Sequence, residues 1–287
     1  MSEATRNVEL VDAGELRRLE RFGPLVVDRP APTATAWRRA HDAWAGADLR
    51  FDPGPGWSGR AVSTSAEELV APWPVEIEGL TMELRPTASG GLGLFPEHAA
   101  NLGWLGTQVD RLATADHPTP SVLHLFAHTG LLSLGLARAG AAVVHVDSAR
   151  TVVAWARRNA ERSGLADRPI RWLVDDALAF VRREVRRGHR YDGIVLDPPS
   201  FGHAGRRRWR LADELPDLLA GCAALLDPNG FLLMTAHTTG LDGACLGEAV
   251  RAVLPAGARH VTVEPLGLDA TSGARLDLGW SVRLGAG

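Results

Sequence analysis

The sequence predicts an α/β protein: a Rossmann-like, mostly parallel seven-stranded sheet closed by a C-terminal antiparallel hairpin, with a small N-terminal β-rich module. Three observations predict it. From Ser121 onward, short apolar runs alternate with stretches of helical character, the pattern of a parallel sheet with crossover helices. Four of these runs end on glycine or acid: VLHLFAHTG (Val122 to Gly130), AAVVHVD (ending at Asp147), IRWLVDD (ending at Asp176) and YDGIVLDPPSF (Tyr191 to Phe201). In a doubly wound sheet the carboxyl ends of neighbouring strands line one crevice, and ligands bind there. Residues 1 to about 90 break the pattern, with β-like runs fenced by proline.

Within that first stretch, GPLVVDRPAP (Gly23 to Pro32) and PWPVEIEGLTMELRP (Pro72 to Pro86) have β character. The tract between them is rich in Gly, Pro and Trp and includes FDPGPGW (Phe51 to Trp57), with one short helix expected around Ala36 to Ala45. Residues 1–90 therefore read as an accessory module, and 91–120 as a bridging helix and linker. Pro96 and Glu97 suit a first helical turn, and Asp116 to Pro120 form a proline-broken link. Residues 121–287 read as the ligand-binding domain, with strands at 121–126, 142–147, 170–174, 192–197 and 229–236. Helices are expected at about 130–139, 149–162, 176–187, 211–225 and 243–253, and a final antiparallel pair at about 260–266 and 279–284.

At 287 residues, 45% hydrophobic and 23% charged, the chain has the balance of an ordinary globular protein with a sizeable core. No apolar run approaches the roughly 18 residues of a membrane span. The polar N-terminus does not resemble a secretory signal, so a cytoplasmic address is expected. Cys222 and Cys245 make neither a metal spacing nor a disulfide framework, and no metal is expected. The chain contains no lysine, so all 31 cations are arginine. A GC-rich coding bias is the simpler cause of that, and phosphate binding, which suits the guanidinium fork, is the functional one. A net charge of −3 argues against a coating of nucleic acid but leaves room for a local basic patch.

The first mark, FAHTG, has one glycine where a dinucleotide fingerprint has three. A pyrophosphate needs a glycine-rich turn that lets backbone N–H groups approach it. S-adenosylmethionine carries no phosphate and a positive sulfonium, so the single Gly130 suits it better. Asp147, 17 residues after Gly130 and at the end of the second strand, can accept both ribose hydroxyls. Asp176 is placed to accept from the adenine amino group with Ala177 leaving room for the ring, and Asp175 competes for that role. Either acid could instead cap the following helix, where Asp is favoured. Their occurrence in one crevice with Asp197 favours a ligand. The candidate cofactor set is Phe126, His128, Thr129, Gly130, Asp147, Ser148, Asp175, Asp176, Ala177 and Asp197.

At the fourth mark, consecutive prolines hold the backbone extended and remove its N–H groups. Asp197, Pro198 and Pro199 then present a carboxylate and carbonyls to an amino group on a flat substrate, and Phe201 can stack on its ring. RRRWR (Arg206, Arg207, Arg208, Trp209 and Arg210) follows, able to hold phosphates and stack a base, or else to form a solvated loop. RREVRRGHR (Arg182 to Arg190) reads as the exposed end of a helix. His128, His203 and His237 lie near the crevice and could orient groups or take a proton.

From about Gly91 to Gly240 the sequence resembles the class I S-adenosylmethionine-dependent methyltransferases. It is most similar to the bacterial 23S rRNA methyltransferases with a DPPxF motif, which make 5-methylcytosine or 7-methylguanine. LFAHTG resembles their cofactor loop, HVDSARTVVAWARRNAE their ribose-binding strand and helix, and DPPSF their catalytic motif. GLFPEHAAN resembles a family segment in which arginine usually stands at the place of Ala99, and residues 1–90 do not resemble the RNA-binding module of many relatives. In the 5-methylcytosine relatives a nucleophilic cysteine lies in a segment resembling TAHTTGL (Thr235 to Leu241), where this chain has Thr238. The resemblance therefore implies methyl transfer from S-adenosylmethionine to a nucleobase nitrogen in RNA, without a covalent cysteine adduct. A small-molecule methyltransferase, or a non-catalytic cofactor- or RNA-binding protein, are the alternatives. The oligomeric state stays open, a homodimer included.

Overall fold

The computed structural model describes residues 8–62, 70–204, 207–238, 242–254 and 260–285, with backbone alone for 203, 204, 207 and 208. The chain forms two compact units, residues 1–99 with 267–278, and residues 100–266 with 279–287.

The first unit is built on a five-stranded sheet in the order β1-β2-β3-β4-β5. Its strands are β1 (Val8–Gly14), β2 (Arg17–Phe22), β3 (Leu25–Pro30), β4 (Leu49–Asp52) and β5 (Gly56–Ser58), with α1 (His41–Ala45) before β4. A separate hairpin pairs β6 (Trp73–Ile77) with β7 (Leu80–Leu84). Alternation along the strands buries Leu19, Phe22, Val27, Leu80 and Met82. Asp12 is also fully buried, and its carboxylate accepts from the backbone N–H groups of Arg39 and Ala40, the Trp44 indole and the Ser272 hydroxyl. Four donors account for a charge that would otherwise be costly to bury. The arginines of this sheet are largely spent on acids: Arg17 on Asp28 and Asp52, Arg29 on Glu20, and Arg60 on Asp48.

The second unit begins with α2 (Leu102–Leu112), which follows a tight turn over Pro96–Asn101. Then come β8 (Ser121–Leu125), α3 (Leu131–Arg138), β9 (Ala142–Asp147), α4 (Arg150–Arg162), β10 (Ile170–Val174), α5 (Ala177–Arg187) and β11 (Tyr191–Leu196). A two-stranded hairpin, β12 (Phe201–Ala204) and β13 (Arg207–Arg210), precedes α6 (Leu211–Leu225), β14 (Leu226–Ala236), α7 (Gly243–Ala252), β15 (Val261–Asp269) and β16 (Arg275–Leu284). The sheet order is β10-β9-β8-β11-β14-β16-β15, with β16 antiparallel to β14. Strands expected from the alternation all form, and β15 and β16 run longer than expected.

Burial on both faces explains the near-continuous apolar strands. Leu123, Leu125, Val146, Ile194, Leu196, Leu232 and Met234 are buried in one cluster with α5 and α6 side chains. Burying each such side chain stabilises by about 1.5–3 kcal/mol. Chain order reverses between β8 and β11, so a crevice opens where their crossovers leave in opposite directions. Register fixes what faces it: Leu125 pairs with Val146 and Leu196, Val174 with Asp147, and Leu196 with Met234. Phe126, Asp147, Asp175, Asp197 and Thr235 therefore stand along one rim.

Candidate cofactor and reaction site

The turn after β8 is held in a high-energy shape. Phe126, His128 and Gly130 have φ of 54°, 48° and 94°. The first two are non-glycine residues in the left-handed region, which costs on the order of 1–3 kcal/mol each and needs support from neighbours. Three hydrogen bonds supply that support. The His128 N–H donates to Asp147 Oδ2 at 2.9 Å, Ala127 N–H to the Val146 carbonyl at 3.1 Å, and the buried Asn159 amide to the Thr129 carbonyl at 2.9 Å. The glycine was expected to admit a cofactor. Its observed role is conformational, because a Cβ there would also lie 3.2 Å from the Ala156 methyl of α4.

Beneath the turn, Ser133 on α3 joins two buried histidines, 2.7 Å from His124 Nδ1 and 2.9 Å from His145 Nδ1. A hydroxyl has one proton, so it donates to one ring and accepts from the Nδ1–H of the other. Burial, then the positive neighbourhood of His124, His128 and Arg157, holds His145 well below the ordinary histidine range. Asn159, Ser133, His124 and His145 all went unselected in the sequence, since mid-helix and mid-strand polar residues give no local signal.

Asp147 is oriented by two backbone donors, His128 N–H on Oδ2 and Ala149 N–H on Oδ1, both at 2.9 Å. At the end of β10, Asp176 caps α5 by accepting from Ala179 N–H at 2.8 Å. Asp175 accepts from Asp176 N–H at 2.9 Å and is paired with Arg183. Both readings of Asp176 thus coexist: it caps the helix and it lines the crevice.

An open pocket of about 370 Å³ lies at this rim, lined by Phe126, Asp147, Ser148, Asp175, Asp176, Ala177, Pro199, Gly202 and Trp209. His128, Thr129 and Gly130 shape the adjoining turn without lining it. The donor set tests the expected cofactor. Three carboxylates, an apolar floor and aromatic walls offer acceptors for hydroxyl and amino groups and a negative field for a cation. They offer nothing to a pyrophosphate. The residues present fit S-adenosylmethionine.

Beside the pocket, Asp197 Oδ1 accepts from the Thr235 hydroxyl at 2.7 Å and lies 3.2 Å from His237 Nε2. Pro198 is buried and Phe201 is 71% exposed. Two expectations are corrected here. The Pro199 carbonyl was expected to face a substrate amine, yet it accepts from the Trp209 indole N–H at 2.6 Å. Trp209 was expected to offer a stacking face among arginines, yet it is 5% exposed and packs on Phe126 with ring centres 5.1 Å apart. Arg207–Arg210 form β13, paired with β12, and not a loop. Arg206 lies outside the described residues, and Arg207 and Arg208 are described by backbone only. Thr238 bonds Ser200 at 2.7 Å. Burial pushes the Cys222 thiol up to about 12, and hydrogen bonding to Asp242 raises the exposed Cys245.

No protein-family model matches the chain. The SAM-dependent methyltransferase from Agrobacterium tumefaciens superimposes over 99% of this chain and 92% of its own, at 31% identity and a TM-score of 0.89. A provisionally assigned SAM-dependent methyltransferase from Streptococcus mutans covers 98% of this chain and 76% of its own at 14% identity and a TM-score of 0.72, a likeness of fold alone. Among curated proteins, the ribosomal RNA large subunit methyltransferase K/L of Methylococcus capsulatus is 30% identical over 173 residues, 57% of this chain. The chain spans only 22% of that relative's length. Near-complete coverage of the Agrobacterium protein at 31% identity, on a fold whose strand-end carboxylates line an open pocket, establishes that the chain belongs to the SAM-dependent methyltransferases.

Proposed function

We propose that the chain methylates a nitrogen of a nucleobase in RNA, without a covalent cysteine adduct. The observation that carries this reading is the Asp197–Pro198–Pro199 turn, a fixed carboxylate beside the pocket with the exposed ring of Phe201 four residues on. S-adenosylmethionine, once bound, supplies an electrophilic methyl group on a positively charged sulfur. Asp147 holds the ribose hydroxyls on the acceptor positions that its two backbone donors leave over. Asp176 or Asp175 takes the adenine amino group, with Ala177 giving the ring room. Asp197 accepts an N–H of the substrate amine, Phe201 stacks on its ring, and His237 carries the released proton outward. Holding reactants in line supplies much of the rate gain in such a transfer. In this reading residues 1–90 are an accessory module, 91–120 a bridge, and 121–287 the catalytic domain.

A nitrogen target needs no nucleophilic thiol. That agrees with Thr238 standing where the 5-methylcytosine relatives have cysteine, and with the buried, high-pKa Cys222. The RNA substrate is supported by the likeness to ribosomal RNA large subunit methyltransferases. A small-molecule substrate is the second reading, favoured by the acidity of the first unit, with 11 arginines against 17 acidic residues. The test is incubation with methyl-labelled donor and, separately, bacterial ribosomal RNA and a small-metabolite extract, followed by nucleoside mass spectrometry. An N-methylated nucleoside is expected. Label in 5-methylcytosine sinks the nitrogen target, and label only in the extract sinks RNA.

A further inference from the structure

The charge of the second unit is not spread evenly. Residues 150–190 hold eleven arginines and five acidic residues, whereas the rest of that unit holds nine and twelve. Coding bias would scatter arginine through the chain and does not explain this concentration. The segment is α4, β10 and α5, and β10 is the outermost strand of the seven-stranded sheet. Arg157 and Arg162 are exposed on α4, Arg168 in the following loop, Arg171 on β10, Arg182, Arg186 and Arg187 on α5, and Arg190 after it. Arg171 lies on β10 itself, and Arg182, Arg186 and Arg187 lie on α5, the helix that leaves the end of that strand.

A structural role covers part of this. Arg162, Arg186 and Arg187 sit in last turns, where cations suit the helix dipole. Arg182, Arg183 and Arg187 are paired with Asp217, Asp175 and Glu184. It does not cover Arg168 and Arg171, and it gives Arg186 no partner side chain: all three are exposed, and among the described residues their side chains have no hydrogen bond or ion pair. On α5, Arg182 with Arg186 and Arg183 with Arg187 are like charges one turn apart, which destabilises a helix left to itself. A second copy of the chain is a poor occupant for the β10 edge, because pairing about a twofold axis sets Arg171 and the exposed arginines of the flanking helices against their own copies. A polyanion suits it. The pocket-lining Asp175 and Asp176 follow directly on β10, and Arg171 lies four residues from Asp175, about 13 Å along the strand.

We propose that this arginine belt around the β10 edge carries the phosphate backbone of the RNA, leading one strand length to the pocket. The inference rests on the RNA reading above and adds a surface to it. The test uses the full chain with Arg168→Gln, Arg171→Gln and Arg186→Gln combined, and deproteinised bacterial large-subunit ribosomal RNA as probe. Affinity is measured between about 50 and 200 mM salt, with cofactor affinity followed by calorimetry. Each lost phosphate contact lowers the salt slope by about 0.7–0.9, so the triple variant should lose about two while binding cofactor normally. Charge reversal to Glu at the same positions should weaken RNA binding further. An unchanged slope and affinity in a variant that still binds cofactor overturns the belt, and wild-type methylation of the same RNA would leave the RNA reading standing. Wild type that neither binds nor methylates RNA overturns both. Should the triple variant lose the cofactor, the slope is read on Arg171→Gln alone, where a loss of about 0.7 is expected and no change overturns the belt.

Discussion

Asp147 ends β9 and Asp197 follows β11, on either side of β8, but the two are wired differently, and the wiring predicts different losses. Asp147 braces the strained turn through His128 N–H as well as facing the pocket. Asp147→Ala should therefore weaken S-adenosylmethionine binding by at least about tenfold, roughly 1.4 kcal/mol, measured by calorimetry. Unchanged affinity would remove it from the site. Asp197 is instead held by the Thr235 hydroxyl and stands beside His237. Asp197→Ala should keep cofactor affinity while turnover falls by about a hundredfold or more, the scale of losing a positioned polar group. Retained turnover would end the case for the Asp-Pro-Pro turn. These acids were legible in the sequence because each terminates an apolar run. Ser133, Asn159, His145 and Thr235 were not, because their partners lie 9 to 38 residues away and only the fold brings them together.

Among elements, the alternating strands and helices of the second unit were readable because burial on both faces writes long apolar runs. The β12–β13 hairpin was not. Its strands are only four residues long and one is three-quarters arginine, and its anchor is the Trp209 indole bond to Pro199, which no periodicity announces. The turn before α3 lies between these cases: its glycine was visible, but the reason for it is the φ of 94° and the nearness of Ala156. Gly130→Ala should cost about 1–3 kcal/mol in a urea titration and loosen cofactor binding with it. A stability within about 0.5 kcal/mol of wild type would show that the turn adapts and is not the rigid support described above.

For the whole molecule, acid is the informative stress. Burial pushes the Asp12, Glu184 and Asp192 carboxyls up, but their hydrogen bonds reverse that and leave all three below their ordinary values. Their stabilising contribution is full above the unfolded values of 3.8 and 4.5 and is lost as pH falls through the lower folded values. His145 is neutral in the fold, and its unfolded form takes a proton near 6.5. Its contribution is therefore full above that pH and declines below it. The urea midpoint should begin to fall near pH 6.5 and drop more steeply below 4.5, and His145→Asn should flatten the upper part. A midpoint unchanged down to pH 5 would contradict the buried, neutral imidazole. The chain divides into two units, and nothing local in 267–278 marks that stretch as belonging with the first. The uneven placement of arginine also governs how molecules meet. A formal charge of −3 averages a unit with six surplus acids and a rim with six surplus guanidiniums. In dilute buffer, opposite regions of separate molecules attract one another, so aggregation sets in at low conductivity and recedes as electrolyte is added.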